Sequence, residues 1–289
     1  MQHVLAFFEA TKEENNSEGY YELLLAAAWY YGYIARDMET YQKLFHVLTA
    51  GDQIPASVKV MANADRMLIR IAAETDDLAS LDIGIWIEDN EFDLDDIESE
   101  EEQFKARIRF LIARAYYESL YATKEDAFST VTKAQAVCQE FITFLLKMRP
   151  LRKESYVYAV KAMAVLLCRQ AALLRMKTGE YEDSVKKCRE AREWLADRRY
   201  VKCLRDLNLN NGNSYLNAFS LNLEGVSLME TNATLQELYQ SECLNQLALD
   251  EYLMINYRPG IANQQLNFTN IYRVQALKII DGINAFRRQ

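Results

Sequence analysis

The chain has 289 residues, half of them apolar, which is enough to bury a sizeable core. Nine glycines and three prolines leave too little turn punctuation for a many-stranded sheet protein, so an all-helical chain is expected. With 33 basic against 42 acidic residues and a net charge of −9, no direct nucleic-acid role is expected, because phosphate binding rests on clustered cations.

The first residues, MQHVLAFFEATKEENN, lack the positive start and small-residue cleavage site of a secretory signal, so an intracellular, cytoplasmic protein is expected, with the nucleus left open. Apolar residues then recur at helical spacing near 3–11, 20–35, 38–50, 56–74 and 76–87. The uncharged run LLLAAAWYYGYIA is shorter than the roughly 20 residues of a membrane span, and no span is expected. Residues 88–103, EDNEFDLDDIESEEEQ, carry acidic side chains and no base. Mutual repulsion makes them an acidic connector between N-terminal helical pairs (1–87) and a longer helical region (104–289). Asp89, Glu91, Asp93 and Glu100 approximate the spacing of a calcium loop, but Leu94 stands where that loop needs its turn glycine, so no metal is expected.

Further helices are expected near 102–121, 124–148, 154–177, 180–198, 213–229, 233–256 and 264–286. Pro55, Pro150 and Pro259 fall in the breaks, where a missing backbone donor does no harm. Gly179 follows Lys177 where a helix end favours a residue tolerant of positive φ. The stretch NLNNGNS, 208–214, reads as a loop with the next helix starting at Asn213 or Ser214. Cys138, Cys168, Cys188, Cys203 and Cys243 show no paired spacing and are expected as buried reduced thiols.

Within VLLCRQAALLRMKTGEYEDSVKKCREA, small Ala171 and Ala172 stand where a second helix must approach, Gly179 and Tyr181 make the turn, and Ser184, Cys188 and Ala191 keep the facing helix thin. This pattern resembles the tetratricopeptide repeat. Ala115, Ala127 and Ala134 repeat it more loosely, Ala28 and Tyr31 more loosely still with Thr40 where a smaller residue is usual, and Gly225 alone in LNLEGVSLMETN. The resemblance implies antiparallel helix pairs stacked as a degenerate right-handed superhelix, an α-solenoid, with first helices lining a concave face.

Carried over from that family, the groove side chains are Arg109, Ile112, Tyr116 and Leu120, then Arg169, Leu173, Met176 and Lys177, continued by Phe219, Asn222, Val226 and Met229. Cations in an acidic protein suit a protein or peptide ligand with acidic groups. The lysine–asparagine clamp of chaperone-binding repeats is not implied, because Arg169 and Leu173 hold the corresponding positions. The expected role is a non-enzymatic scaffold or adaptor. The alternative is a peptide-sensing module similar to the sensor half of bacterial pheromone receptors, although residues 1–50 show no basic recognition helix. Phe7, Phe8, Trp29 and Tyr30 offer an apolar surface for a homodimer or an obligate partner.

Catalytic material is scarce. His3 and His46 are the only histidines, and no glycine-rich phosphate loop occurs, so no catalytic residue and no cofactor is expected. Adjacent carboxylates such as Asp95 and Asp96 or Glu182 and Asp183 face different directions on a helix and read as solvated charge.

Overall fold

The computed structural model describes residues 18–50, 54–73, 83–209, 212–230 and 233–287, and these are helical with no strand among them. The protein is therefore all-α. Twelve α-helices follow in order: α1 Glu18–Trp29, α2 Met38–Thr49, α3 Ala56–Ala73, α4 Ile83–Asp95, α5 Glu100–Tyr121, α6 Lys124–Lys147, α7 Lys153–Leu173, α8 Tyr181–Leu195, α9 Arg198–Asp206, α10 Ser214–Glu230, α11 Leu235–Met254 and α12 Arg258–Arg287. The helix expected at 3–11, with His3, Phe7 and Phe8, lies outside the described residues.

Two compact units divide the chain, Met1–Ala113 and Arg114–Gln289, with the division falling inside α5. In the first unit Leu24 and Ala28 of α1, Tyr41, Leu44 and Leu48 of α2, and Val58, Ala62 and Ile69 of α3 form one buried cluster. The end of α1 widens into a π turn over Tyr30–Ile34, where a Cβ on Gly32 would lie 2.5 Å from Ile69 Cδ1. Asp37 caps α2 by accepting from the Thr40 amide at 3.1 Å, and those bonds hold its carboxyl below the usual carboxylate range.

The acidic run expected as a connector is largely helical. Residues 88–95 belong to α4, whose Asn90 and Leu94 are buried, and α5 opens with Glu100, Glu101 and Glu102 in its first turn. Carboxylates at a helix N-terminus are favoured by the backbone dipole, and Lys105 Nζ neutralises two of them, 3.4 Å from Glu101 and 2.9 Å from Glu102. Local pairing thus overcomes the repulsion that the sequence suggests, and the unit boundary falls after Ala113 rather than within 88–103.

In the second unit each long helix packs on its predecessor: α6 on α7, α7 on α8, α8 on α10, α10 on α11, α11 on α12. Between long helices two contacts skip a neighbour, α7 with α10 and α10 with α12, and the short α9 also packs on α7. The small residues sit at the closest approaches. Ala115, Ala127 and Val131 cluster with Leu173, while Ala171, Ala172 and Cys188 cluster with Leu223. Ser184 and Ser227 hydroxyls hydrogen-bond at 2.9 Å between α8 and α10, a distance that larger side chains there would forbid.

Gly179 ends the π turn Leu174–Thr178 with φ +69°, the left-handed conformation its position demands. Helix α9 fills the stretch between the helix expected at 180–198 and the loop expected at 208–214. Asp197 caps it by accepting from the Arg199 and Tyr200 amides at 3.0 Å, and Tyr200 inserts into the core with its hydroxyl donating to Asn213. Helix α12 begins at Arg258, so Pro259 sits in its first turn, where no donor is lost, rather than in a break. Four cysteines are buried, and burial pushes the thiols of Cys138 and Cys168 up to about 12; Cys243 on α11 is exposed instead. The segment Lys153–Thr178 is long and apolar enough to cross a membrane, but 72% of its apolar window is buried inside the fold.

Helix α11 starts with a full capping box: the Glu237 amide donates to Thr234 Oγ1 at 3.2 Å and the Thr234 amide to Glu237 Oε2 at 2.7 Å. Thr234→Ala is expected to cost about 1 kcal/mol in denaturant unfolding, with Thr234→Ser close to wild type. Equal losses in both variants would deny the hydroxyl its capping role.

Candidate functional site

Helix α7 is the most enclosed element of the second unit. Between Ser155 and Leu173 every residue is buried except Tyr158, Lys161, Val165, Arg169 and Gln170. The first four step along one face at intervals of three or four residues, so α7 shows solvent a single narrow stripe. Gln170 accepts from Gln135 of α6 at 3.0 Å. On α10, Phe219, Val226 and Met229 are partly exposed at similar spacing.

The groove residues expected from the repeat scatter across this picture. Arg109 and Ile112 belong to the first unit. There the Arg109 guanidinium pairs with buried Asp65 and lies 4.6 Å over the Trp29 ring, while Ile112 is buried. Leu173 packs in the α5–α6 cluster, and Asn222 is buried, accepting from Asn267 at 2.6 Å. Ile112, Leu173 and Asn222 are thus buried in helix contacts, and Arg109, partly exposed, already holds a partner. Tyr116 is half-buried, and Leu120, Met176 and Lys177 are exposed.

Arg169 lies on the stripe but is already engaged. Its guanidinium stacks 4.0 Å over the Tyr116 ring, donates to the Tyr116 carbonyl at 3.2 Å and also to the Ser119 hydroxyl. It locks α7 to α5.

Lys161 is the member that the carry-over missed, although it stands eight residues before Arg169 on the same helical face. Its ammonium approaches Gly212, where an added Cβ would come within 3.2 Å of Nζ. Burial alone pushes its pKa below the ordinary lysine value of 10.5. No carboxylate contributes to that shift, unlike Lys153, which pairs with Asp206 at 2.8 Å. The stripe therefore offers a desolvated cation flanked by Tyr158 and Val165, an arrangement that favours an incoming anion with apolar neighbours.

Compared with protein-family models, curated proteins and solved structures, the chain matches none of them.

Proposed function

We propose that the second unit is a non-enzymatic binding module that holds an extended, acidic segment of another polypeptide along the open stripe of α7 and the partly exposed side chains of α10. The observation that carries this reading is the order of helix contacts, each helix on its predecessor with α7–α10 and α10–α12 added. Antiparallel pairs stacked as a tetratricopeptide-like solenoid produce that order, and such stacks leave the first helices of successive pairs facing a common ligand. Lys161 supplies the charge preference, with Lys177 exposed farther along the same chain segment.

Charge reversal at Arg169 is a poor test, because it would also break the stack on Tyr116. Lys161→Met is the informative variant. Fluorescence polarisation with ten-residue labelled peptides, Glu-rich against Lys-rich, should show the acidic set binding in a salt-sensitive manner. Lys161→Met should weaken that binding about tenfold. Indifference to peptide charge, or to this substitution, would remove the stripe from consideration.

The same variant should be more stable than wild type. Because the folded pKa of Lys161 lies below its unfolded value of 10.5, the burial penalty is complete at neutral pH and is relieved as pH rises toward that value. Lys161→Met is therefore expected to be more stable than wild type at pH 7, by a margin that shrinks as pH rises toward 10.5. Thermal melts at the two pH values check the sign.

A further inference from the structure

Among the described residues, large apolar side chains left in solvent gather on the last two helices, most densely near the end of α12. This helix buries Gly260, Gln264, Asn267 and Ile271, and none of its described residues after Ile271 is buried. There Phe286 is 80% exposed, Ile280 52%, Ile279 49% and Ile283 47%. That much contiguous apolar surface is unfavourable in water unless something covers it.

The spacing states what kind of element covers it. Tyr272, Ala276, Ile279, Ile283 and Phe286 follow at steps of four, three, four and three residues. A repeat of 3.5 residues is the seam by which one helix packs along another. Lys278 and Asp281 fall outside the seam.

The seam is also complementary to itself. With two copies antiparallel, Ala276 meets Phe286 of the second copy and Ile279 meets Ile283, so the four layers between 276 and 286 combine to similar volumes. A parallel pair would set Phe286 against Phe286 and Ala276 against Ala276, one layer overfilled and the next empty. Ile279, Ile283 and Phe286 with Ala276 from each copy, and Ile280 at the margin, would bury on the order of 800 Å² in all, the size of a weak, reversible pairing. We infer that α12 is a self-association surface, through which two copies of this chain pair antiparallel over residues 276–286 as a two-fold dimer. The inference concerns a different face from the α7 stripe and stands or falls separately from the binding proposal.

Sedimentation velocity of the full chain between about 1 and 100 μM, the range expected for an interface of this size, should show a species of twice the 33.5 kDa chain mass. Ile279→Glu with Ile283→Glu should leave a monomer at every concentration in that range, with far-UV helicity unchanged because both positions are exposed. Disulfide trapping reads the register in a Cys243→Ser background, which removes the exposed native thiol. A mixture of the Ala276→Cys and Phe286→Cys chains should cross-link between variants, and neither should cross-link alone. A wild-type monomer at 100 μM, a dimer indifferent to the glutamate pair, or cross-linking of Ala276→Cys with itself would each overturn the inference. Should the glutamate pair lose helicity, the cross-linking result decides.

Discussion

Gly225→Val is expected to cost about 3–4 kcal/mol and to lower Tm by roughly 10 °C, the largest loss of any single change at a glycine of the second unit. Gly225 sits in α10, where α11 comes closest. A Cβ there would lie 2.4 Å from Asn245 Nδ2 and 3.2 Å from the Ser241 carbonyl oxygen. Asn245 has little freedom to retreat. It is fully buried, donates to the Ser241 carbonyl at 2.8 Å and accepts from Asn267 at 3.0 Å, while Ser241 Oγ donates to the Gly225 carbonyl at 2.6 Å. A larger residue must either part the helices or leave buried amide groups without partners, and each outcome costs about 1–3 kcal/mol.

Gly282→Ala provides the contrast, since nothing lies within 4 Å of its added carbon. Alanine there should stabilise by up to about 1 kcal/mol through helix propensity alone, whereas Gly225→Ala, with the same propensity gain, should lose about 2 kcal/mol. Urea unfolding of both variants separates steric conflict from backbone preference. A Gly225→Ala protein as stable as wild type would show that α10 and α11 do not approach so closely.

Arg192→Met is expected to cost about 2–3 kcal/mol. The Glu224 side chain is only 2% exposed, with Arg189 Nε 2.8 Å from Oε1 and Arg192 bonded to Oε2. Both arginines come from α8, so this carboxylate ties α8 to α10 in the same region as the Ser184–Ser227 contact. Removing Arg192 leaves a buried charge with one partner, and that partner, Arg189, is half in water. Arg189→Met should cost less, about 1 kcal/mol, because the bond it removes is the more solvated one. Combining Arg192→Met with Glu224→Met should recover part of the loss, since no unpaired charge then remains. A double-mutant cycle with strictly additive losses would count against the ion pair.

Helical class and most helix positions were legible from periodicity and punctuation. The 3.6-residue spacing placed α2 and α3 to within a residue at their ends, and Gly179 was readable as a left-handed helix end because few other residues tolerate that backbone. Small residues at 171, 172, 184, 188 and 191 marked a close helix contact, and all five are buried. Such features are local or repeat along a single helix, so adjacent residues suffice to reveal them.

The functional face was less legible. A family template assigns positions by spacing, but it cannot tell whether Leu173 fills a gap beside Ala115 or whether Asn222 meets Asn267, 45 residues distant in sequence. Arg109 looked like a ligand-facing cation until Asp65 and Trp29 were seen beside it. Lys161 gave the opposite case, since its desolvation comes from packing near Gly212, which no sequence window containing α7 alone includes.

By itself the sequence determined that this chain forms helices, where most of them begin and end, and which small side chains allow them to approach. Only the tertiary structure decided which side chains remain in water and which cations already hold a partner. Burial and pairing depend on residues brought from distant parts of the chain, and a helical period records the direction of a face without recording what lies opposite it.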